Sequence, residues 1–239
     1  MDRPIPFSAP MVRALLAGTK TQTRRVLNPQ PAHLQVYDWK GKRLHDSEYR
    51  HWCWKGHVGA DNWDDITRQL SPFLPHAVGD RLYVREEIEA MSAGPGYKKY
   101  LLYSADAKPS FDHSWPAEWQ RDKARPMHMF KRFSRMTLPV TGVRVEQLHD
   151  ITQAGTIAEG IERIPYEGKI PDHVGQFGWK DYRKDHPHSV VPYHDENAVL
   201  SYRSLWESIN GVGSWDTNPW VCVTSWSHVI HQNIDKVKP

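Results

Sequence analysis

Cysteine is scarce in this chain, with only Cys53 and Cys222 among 239 residues. Two thiols so far apart make no disulfide framework, and such usage fits a reducing compartment. No apolar run approaches the roughly 18 residues of a membrane span, and the mean hydropathy is −0.69. A basic stretch followed by an apolar one is missing from the first residues, so no signal peptide is read. A cytoplasmic protein with no membrane partner is the expectation. Net charge is slight, at 31 basic against 28 acidic side chains, and by itself names no partner. Metal-ligand spacing is missing too. His51, Cys53 and His57 have no second pair at finger distance, and His186, His188 and His194 form only a loose cluster. A structural zinc site needs four protein ligands and a catalytic one three, so neither a metal nor a cofactor is expected.

The chain is rich in tryptophan, with 11 residues, and its charge is uneven. Between positions 121 and 135, Arg121, Lys123, Arg125, Lys131, Arg132 and Arg135 stand against the single acid Asp122. A local cationic patch attracts phosphates whatever the total charge. His128, Phe130 and Phe133 interleave with it, and flat rings beside cations suit single-stranded nucleic acid. A plain solvated charge run is the competing account.

Ile5-Pro6-Phe7 reads as a short strand, followed by a helix with Ser8 as N-cap and Pro10 in its first turn. Gly18 ends that helix, and Thr21 to Val26 reads as a strand. Val78 to Glu86 reads as a turn followed by a strand, and further strands are expected at Tyr100 to Ser104, along Ser134 to Leu148 with a bulge at Gly142, and at Trp220 to Ile230. The segment from Lys108 to Arg125 reads as irregular. Short helices are expected at Ile151 to Glu159, stopped by Gly160, and at Ala198 to Asn210. The latter carries Leu200, Tyr202, Leu205, Trp206 and Ile209 roughly on one side. Residues 28–75 and 164–195 read as insertions into one domain spanning 1–239. About six strands with two or three helices make an α+β protein, and a sheet of that size is best closed into a small β-barrel. Helices do not alternate regularly with strands, which argues against a parallel βαβ fold.

The junction Leu16-Ala17-Gly18-Thr19-Lys20-Thr21-Gln22-Thr23-Arg24-Arg25 holds the chemistry. Hydroxyls beside fixed cations at a helix-to-strand turn can bind an anion or arm a nucleophile. Ordinary strand threonines and solvated cations would carry the same letters.

This junction, followed in order by Gly79-Asp80-Arg81-Leu82-Tyr83-Val84-Arg85-Glu86, Ala158-Glu159-Gly160-Ile161 and Trp220-Val221-Cys222-Val223, resembles the ASCH family of the PUA-like superfold. Arg125-Pro126-Met127-His128-Met129, Arg132-Phe133-Ser134-Arg135 and Leu205 to Gly211 resemble the long ASCH proteins of phages and prophages. The resemblance implies a PUA-like barrel with loop insertions. It also implies a hydrolase that removes the acyl group from an N4-acylated cytosine, in a nucleoside or a nucleic acid. By the same resemblance the catalytic set is Lys20, Thr23 and Glu159, with Arg25 beside it. Some family members bind or cleave RNA, so a non-catalytic RNA or modified-base module and a ribonuclease stand as alternatives. The expected partner is a modified cytidine nucleoside, or RNA or another single-stranded nucleic acid. Thr21, Arg24, Arg25, Glu86, Arg125, His128, Arg132 and Arg135 are the candidate substrate-binding residues.

The chemistry of these side chains agrees. Amide hydrolysis needs a nucleophile, a base and an oxyanion stabiliser. Thr23 can attack the acyl carbon, and Lys20 can act as base if burial and positive neighbours lower its pKa. Glu159 can orient the lysine or pass a proton to the leaving amine. Alternatively it can activate a water, with Thr23 only positioning the substrate.

Overall fold

A computed structural model describes residues 1–28, 30, 34–37, 51–54, 74–165, 177–183, 190–191 and 197–231. The chain starts with strand β1 (Asp2–Pro6) and helix α1 (Ala9–Leu16). Pro10 sits in the first turn of α1, where its missing N–H costs nothing. The spacing of Met11, Val12, Ala14 and Leu15 gives α1 one buried side. Gly18 ends the helix with φ of 72°, a left-handed conformation that glycine adopts without steric cost. Strand β2 (Gln22–Val26) follows at once.

The main sheet is built from β1, β2, β5 (Arg81–Arg85), β10 (Met136–Gln147) and β14 (Trp220–Trp226), in the order β1-β5-β10-β14-β2. The pair β1-β5 is parallel, and the other pairs are antiparallel. Strand β10 is long and bent. Its first half pairs with β5 and with the short β15 (Ile230–His231), its second half with β14, and the register shifts between Val140 and Gly142. The expected bulge therefore lies where the strand changes partners, which is a common use of an extra residue. Strands β1 and β2 form the two edges of this sheet.

Helices α2 (Gln153–Ala158) and α3 (Asn197–Asn210) pack against each other, and α2 also contacts β2. Thr152 caps α2 by accepting a hydrogen bond from the Gly155 N–H. On α3 the buried positions are Ala198, Ser201, Tyr202, Leu205 and Trp206, with Ser204 buried beside them. All but Ser204 follow the i, i+3, i+4, i+7, i+8 rule of one helical face. Leu200 and Ile209, expected on that face, are instead half-exposed.

The segment expected to be irregular holds two strands. Here β6 (Ile88–Met91), β7 (Tyr100–Tyr103), β8 (Lys108–Ser114) and β9 (Lys123–Ala124) form a second sheet, in the order β8-β7-β6-β9. Strand β8 has polar, exposed residues on most positions, so its pairing comes from the neighbouring β7 rather than from its own pattern. Ile88, Leu101, Tyr103, Trp115, Met129 and Phe133 fill a satellite core below this sheet. Within the region expected to be a loop insertion, β11 (Arg163–Pro165), β12 (Phe177–Lys180) and β13 (Val190–Val191) form a small antiparallel sheet. It is anchored by Trp179, buried in the main core, and by Ser201 Oγ donating to the Lys180 carbonyl at 2.7 Å. In the first insertion, β3 (Leu34–Tyr37) pairs with β4 (His51–Trp54). Most of the rest of that insertion lies outside the described residues, as do the side chains of both histidine clusters. Among the described residues no helix is long and apolar enough to cross a membrane.

One buried histidine ties the sheet to its pH dependence. His76 Nδ1 lies 3.0 Å from Thr224 Oγ1, and Thr224 faces Thr23 across the β14-β2 pair. Burial, with Arg25 and Arg3 nearby, pushes the imidazole down to about 4, and Asp80 only partly opposes this. Folding therefore holds the ring neutral, while the unfolded chain binds its proton near pH 6.5. Stability is present above that pH and falls as pH drops from about 6.5 towards 4, by about 3 kcal/mol from this residue. Urea unfolding at a series of pH values measures it. His76→Gln should flatten the slope in that window, and an unchanged slope would refute the assignment.

Candidate active site

The cleft is a cavity of about 590 Å³ whose lining includes residues of both edge strands of the main sheet. Such a volume suits a small organic ligand. The end of β1 and the start of α1 supply Pro6, Phe7 and Met11, and β2 supplies Thr23, Arg24 and Arg25. Lys20 comes from the α1-β2 junction, Glu159 from the end of α2, and Tyr202, Leu205 and Trp206 from α3. Arg125 and Met127 stand at the rim with Ile209 and Val26, and all four are exposed.

Lys20 and Glu159 lie 139 residues apart in sequence. Four contacts bring them together. The Thr21 N–H donates to the Ala158 carbonyl at 2.8 Å. Lys20 Nζ donates to the Glu159 carbonyl at 2.7 Å and to Glu159 Oε2 at 2.9 Å. Gln22 Nε2 donates to the Gly155 carbonyl at 2.7 Å. The last carbonyls of a helix lack partners within it, and this junction supplies them. Lys20 thus places a cation at a helix C-terminus, where the dipole favours one.

Charge alternates along the site. The Lys20 ammonium meets Glu159, whose Oε1 accepts from Arg24 Nη1 at 3.0 Å. Arg24 Nε donates to Glu146 Oε1 at 2.8 Å, and Arg144 Nε donates to Glu146 Oε2 at 2.8 Å. Lys20, Arg24, Glu159 and Glu146 are all buried, while Arg144 reaches solvent. A buried ion is tolerated only when paired and hydrogen-bonded, and both carboxylates here have two basic partners. Burial pulls the Lys20 amine below its usual range. Glu159 opposes this, and Arg25 and Arg24 reinforce it. Arg24 is likewise penalised by burial, but Glu159 and Glu146 outweigh that and raise it.

Arg25 projects from the other side of β2. Its Nη2 donates to the Pro6 carbonyl at 2.7 Å and so links one edge strand to the other. Lys20 Nζ and the Arg25 guanidinium both lie over the Phe7 ring, at 5.4 and 5.5 Å from its centre. The ring gives both cations an apolar floor with a favourable quadrupole.

Of the candidate residues, the cleft brings together Lys20, Thr23, Arg24, Arg25, Arg125 and Glu159. Thr21, Glu86, His128, Arg132 and Arg135 are not among its lining residues. Glu86 and Arg135 face each other elsewhere. Arg135 clamps Glu86 Oε1 and Oε2 at 2.8 Å each and also holds Asp106, joining β5 to the second sheet. This is a buried structural pair, and its neighbour Glu87 takes the place in the cleft. Arg132 stacks at 4.8 Å over both Phe130 and Phe133, and His128 is exposed on a short 3-10 turn. Lys123 and Lys131 are paired with Glu87 and Asp2, so part of the basic run is neutralised in the fold.

The sequence reading missed Glu146 and Tyr202. Glu146 carried no local signal, because its role depends on β10 lying beside β14. Tyr202 had a signal that favoured the core, since its position belongs to the buried face of α3. Among the described residues no group of three or more His, Cys, Asp or Glu side chains is arranged to hold a metal ion. No family model, no curated protein sequence and no solved structure matches the chain.

Proposed function

We propose that this cleft hydrolyses the amide of an N4-acylated cytosine. The observation that supports this best is the buried Lys20–Glu159–Arg24 cluster, which lines one cleft of ligand size together with Thr23. Thr23 is buried and lines the cleft, and among the described residues none shares a hydrogen bond with its hydroxyl. It is therefore free to meet a ligand. In the proposed reaction Thr23 Oγ1 attacks the acyl carbon and gives its proton to Lys20 in its neutral form. The tetrahedral intermediate then collapses. The C–N bond breaks, and the cytosine amine leaves with the proton from Lys20. Water finally hydrolyses the acyl-threonine ester and releases the carboxylic acid.

Both oxygens of Glu159 are already engaged, one by Lys20 and one by Arg24. That supports the orienting role over the activation of a water. Burial lowers the pKa of the Lys20 amine, against the pairing with Glu159 and with a smaller contribution from Arg25 and Arg24, which is the direction a base needs. The half-closed barrel of the PUA-like superfold belongs to the same proposal. The Arg25-to-Pro6 hydrogen bond across the two sheet edges and the Phe7–Trp226 ring contact at 6.4 Å support it.

A second reading, a pocket that binds a modified base or RNA without chemistry, is favoured by one observation. Lys20 Nζ already serves two Glu159 acceptors and caps α2, which is a complete structural role. Turnover separates the two. The purified protein is mixed with N4-acetylcytidine and followed by ultraviolet absorbance. The wild type is expected to release cytidine, and Thr23→Ala to lower kcat by about 1,000-fold or more while substrate Kd stays within a few-fold. Full activity in Thr23→Ala would remove it as nucleophile. No release from nucleoside or oligonucleotide substrates would leave the binding reading.

A further inference from the structure

Amide hydrolysis needs a hydrogen-bond donor at the place where negative charge grows on the acyl oxygen. The donors inside this cleft are few, and most already have acceptors. Lys20 Nζ serves the Glu159 carbonyl and carboxylate. Arg24 serves Glu146 and Glu159 through all three of its nitrogens. Arg25 is held against Pro6, and Arg125 stands exposed at the rim.

Trp206 also lines the cleft, and its indole N–H has no partner among the described residues, but that nitrogen is wholly buried and offers no surface to a ligand. Tyr202 is different. It lines the cleft and is only 3% exposed, yet among the described residues none shares a hydrogen bond with its hydroxyl. Its ring is fixed, in contact with Trp206 at 6.3 Å and Trp215 at 6.2 Å. It also stands on a 14-residue helix rather than a loop, so the hydroxyl is presented by a rigid element. The chemistry of the group agrees. Burial, and then the Glu159 carboxylate, hold the phenol well above its ordinary pKa. The hydroxyl therefore keeps its proton through the neutral range and is available as a donor.

We propose that the Tyr202 hydroxyl is a catalytic hydrogen-bond donor that meets the acyl oxygen of the substrate as Thr23 attacks. This rests on the amidohydrolase reading above. No covalent bond forms at Tyr202, and no proton leaves it. The hydrogen bond strengthens as the carbonyl oxygen becomes an oxyanion and relaxes when the C–N bond breaks. Such a contact acts on the transition state more than on the bound substrate.

The test compares the wild type, Tyr202→Phe and Arg25→Gln on N4-acetylcytidine, with kcat and KM measured separately across pH 6 to 9. Tyr202→Phe removes one oxygen and keeps both ring contacts, so a structural role would hardly be disturbed. Its unfolding midpoint is measured alongside. The expected result is a kcat lowered about 100- to 1,000-fold, KM within about three-fold, an unchanged pH profile and an unchanged midpoint. A kcat within about three-fold of the wild type overturns the assignment and leaves the amidohydrolase reading intact. A kcat loss in Arg25→Gln with none in Tyr202→Phe moves the donor to Arg25 and also overturns it. A rise in KM alone makes Tyr202 a binding residue and overturns its transition-state role. A wild type without turnover overturns the reaction itself, and Tyr202 falls with it.

Discussion

Glu159→Gln is expected to lower stability by about 3 kcal/mol and to abolish turnover, while adding Lys20→Met to it restores most of the stability and none of the turnover. Removing one partner of a buried ion pair leaves the other charge without compensation, whereas an apolar replacement of both is often neutral. In the single variant the Lys20 ammonium stays buried, with Arg24 close by and no carboxylate. Arg24 itself keeps Glu146. In the double variant the methionine fills the same space without a charge to satisfy. Urea unfolding gives both quantities, provided that the slope is unchanged. A single variant within about 1 kcal/mol of the wild type, or a double variant as unstable as the sum of its parts, would show that the pair is not coupled.

Gly160→Ala is the second change with a large expected effect, although it touches no charge. Gly160 has φ of 82°, and a Cβ placed there would meet Ala14 Cβ at 2.7 Å and Lys20 Cβ at 2.8 Å. The left-handed conformation alone costs an alanine about 1 kcal/mol or more. Overpacking a tight contact adds about 1–3 kcal/mol. Neither obstacle is the free end of a flexible side chain, so the end of α2 must move away from the α1-β2 junction. That is the contact which places Lys20 against Glu159. A shift of about 1 Å in a reacting group can cost about 100-fold in rate. The expected result is a loss of about 3 kcal/mol in unfolding free energy, with kcat of the remaining folded enzyme reduced about 100-fold. Gly18→Ala is the matching control. It is also left-handed, with φ of 72°, but nothing lies within 4 Å of its added Cβ. It should cost only the conformational part and spare kcat. Equal effects in the two variants would show that the close approach at Gly160 is unimportant.

The local elements around the site were readable because their signals are local. A proline in the first turn and a glycine at the end bound α1, and threonines with long cations and no breaker spell β2. The bulge in β10 followed from a glycine within an alternating run. Strand β8 and the small sheet β11-β12-β13 were not readable, because polar residues there pair through neighbours that sequence distance hides. The buried face of α3 was shifted in the reading. Leu200 and Ile209 are apolar but sit at the margin, and the small residues Ala198 and Ser201 take the buried places. Helix periodicity marks a face only to within about one residue, and packing decides which small side chains share it.

The chain by itself determined the junction at Lys20 to Arg25, the stop at Gly160 after Glu159, and the mixed α+β character. These depend on capping, on left-handed glycine and on strand propensity, all of which act within a few residues. Only the tertiary structure decided which carboxylates serve which cations. Glu159 could be suspected from its neighbours, but Glu146 joins Arg24 only because β10, β14 and β2 lie side by side. Glu86 and Arg135, which look like site residues by letter, are consumed by each other and by Asp106. Tyr202 reads as a core residue, and its hydroxyl gains meaning only because α3 turns that face towards the cleft. Ionic pairing and hydrogen bonding act over a few ångströms of space, whatever the separation along the chain.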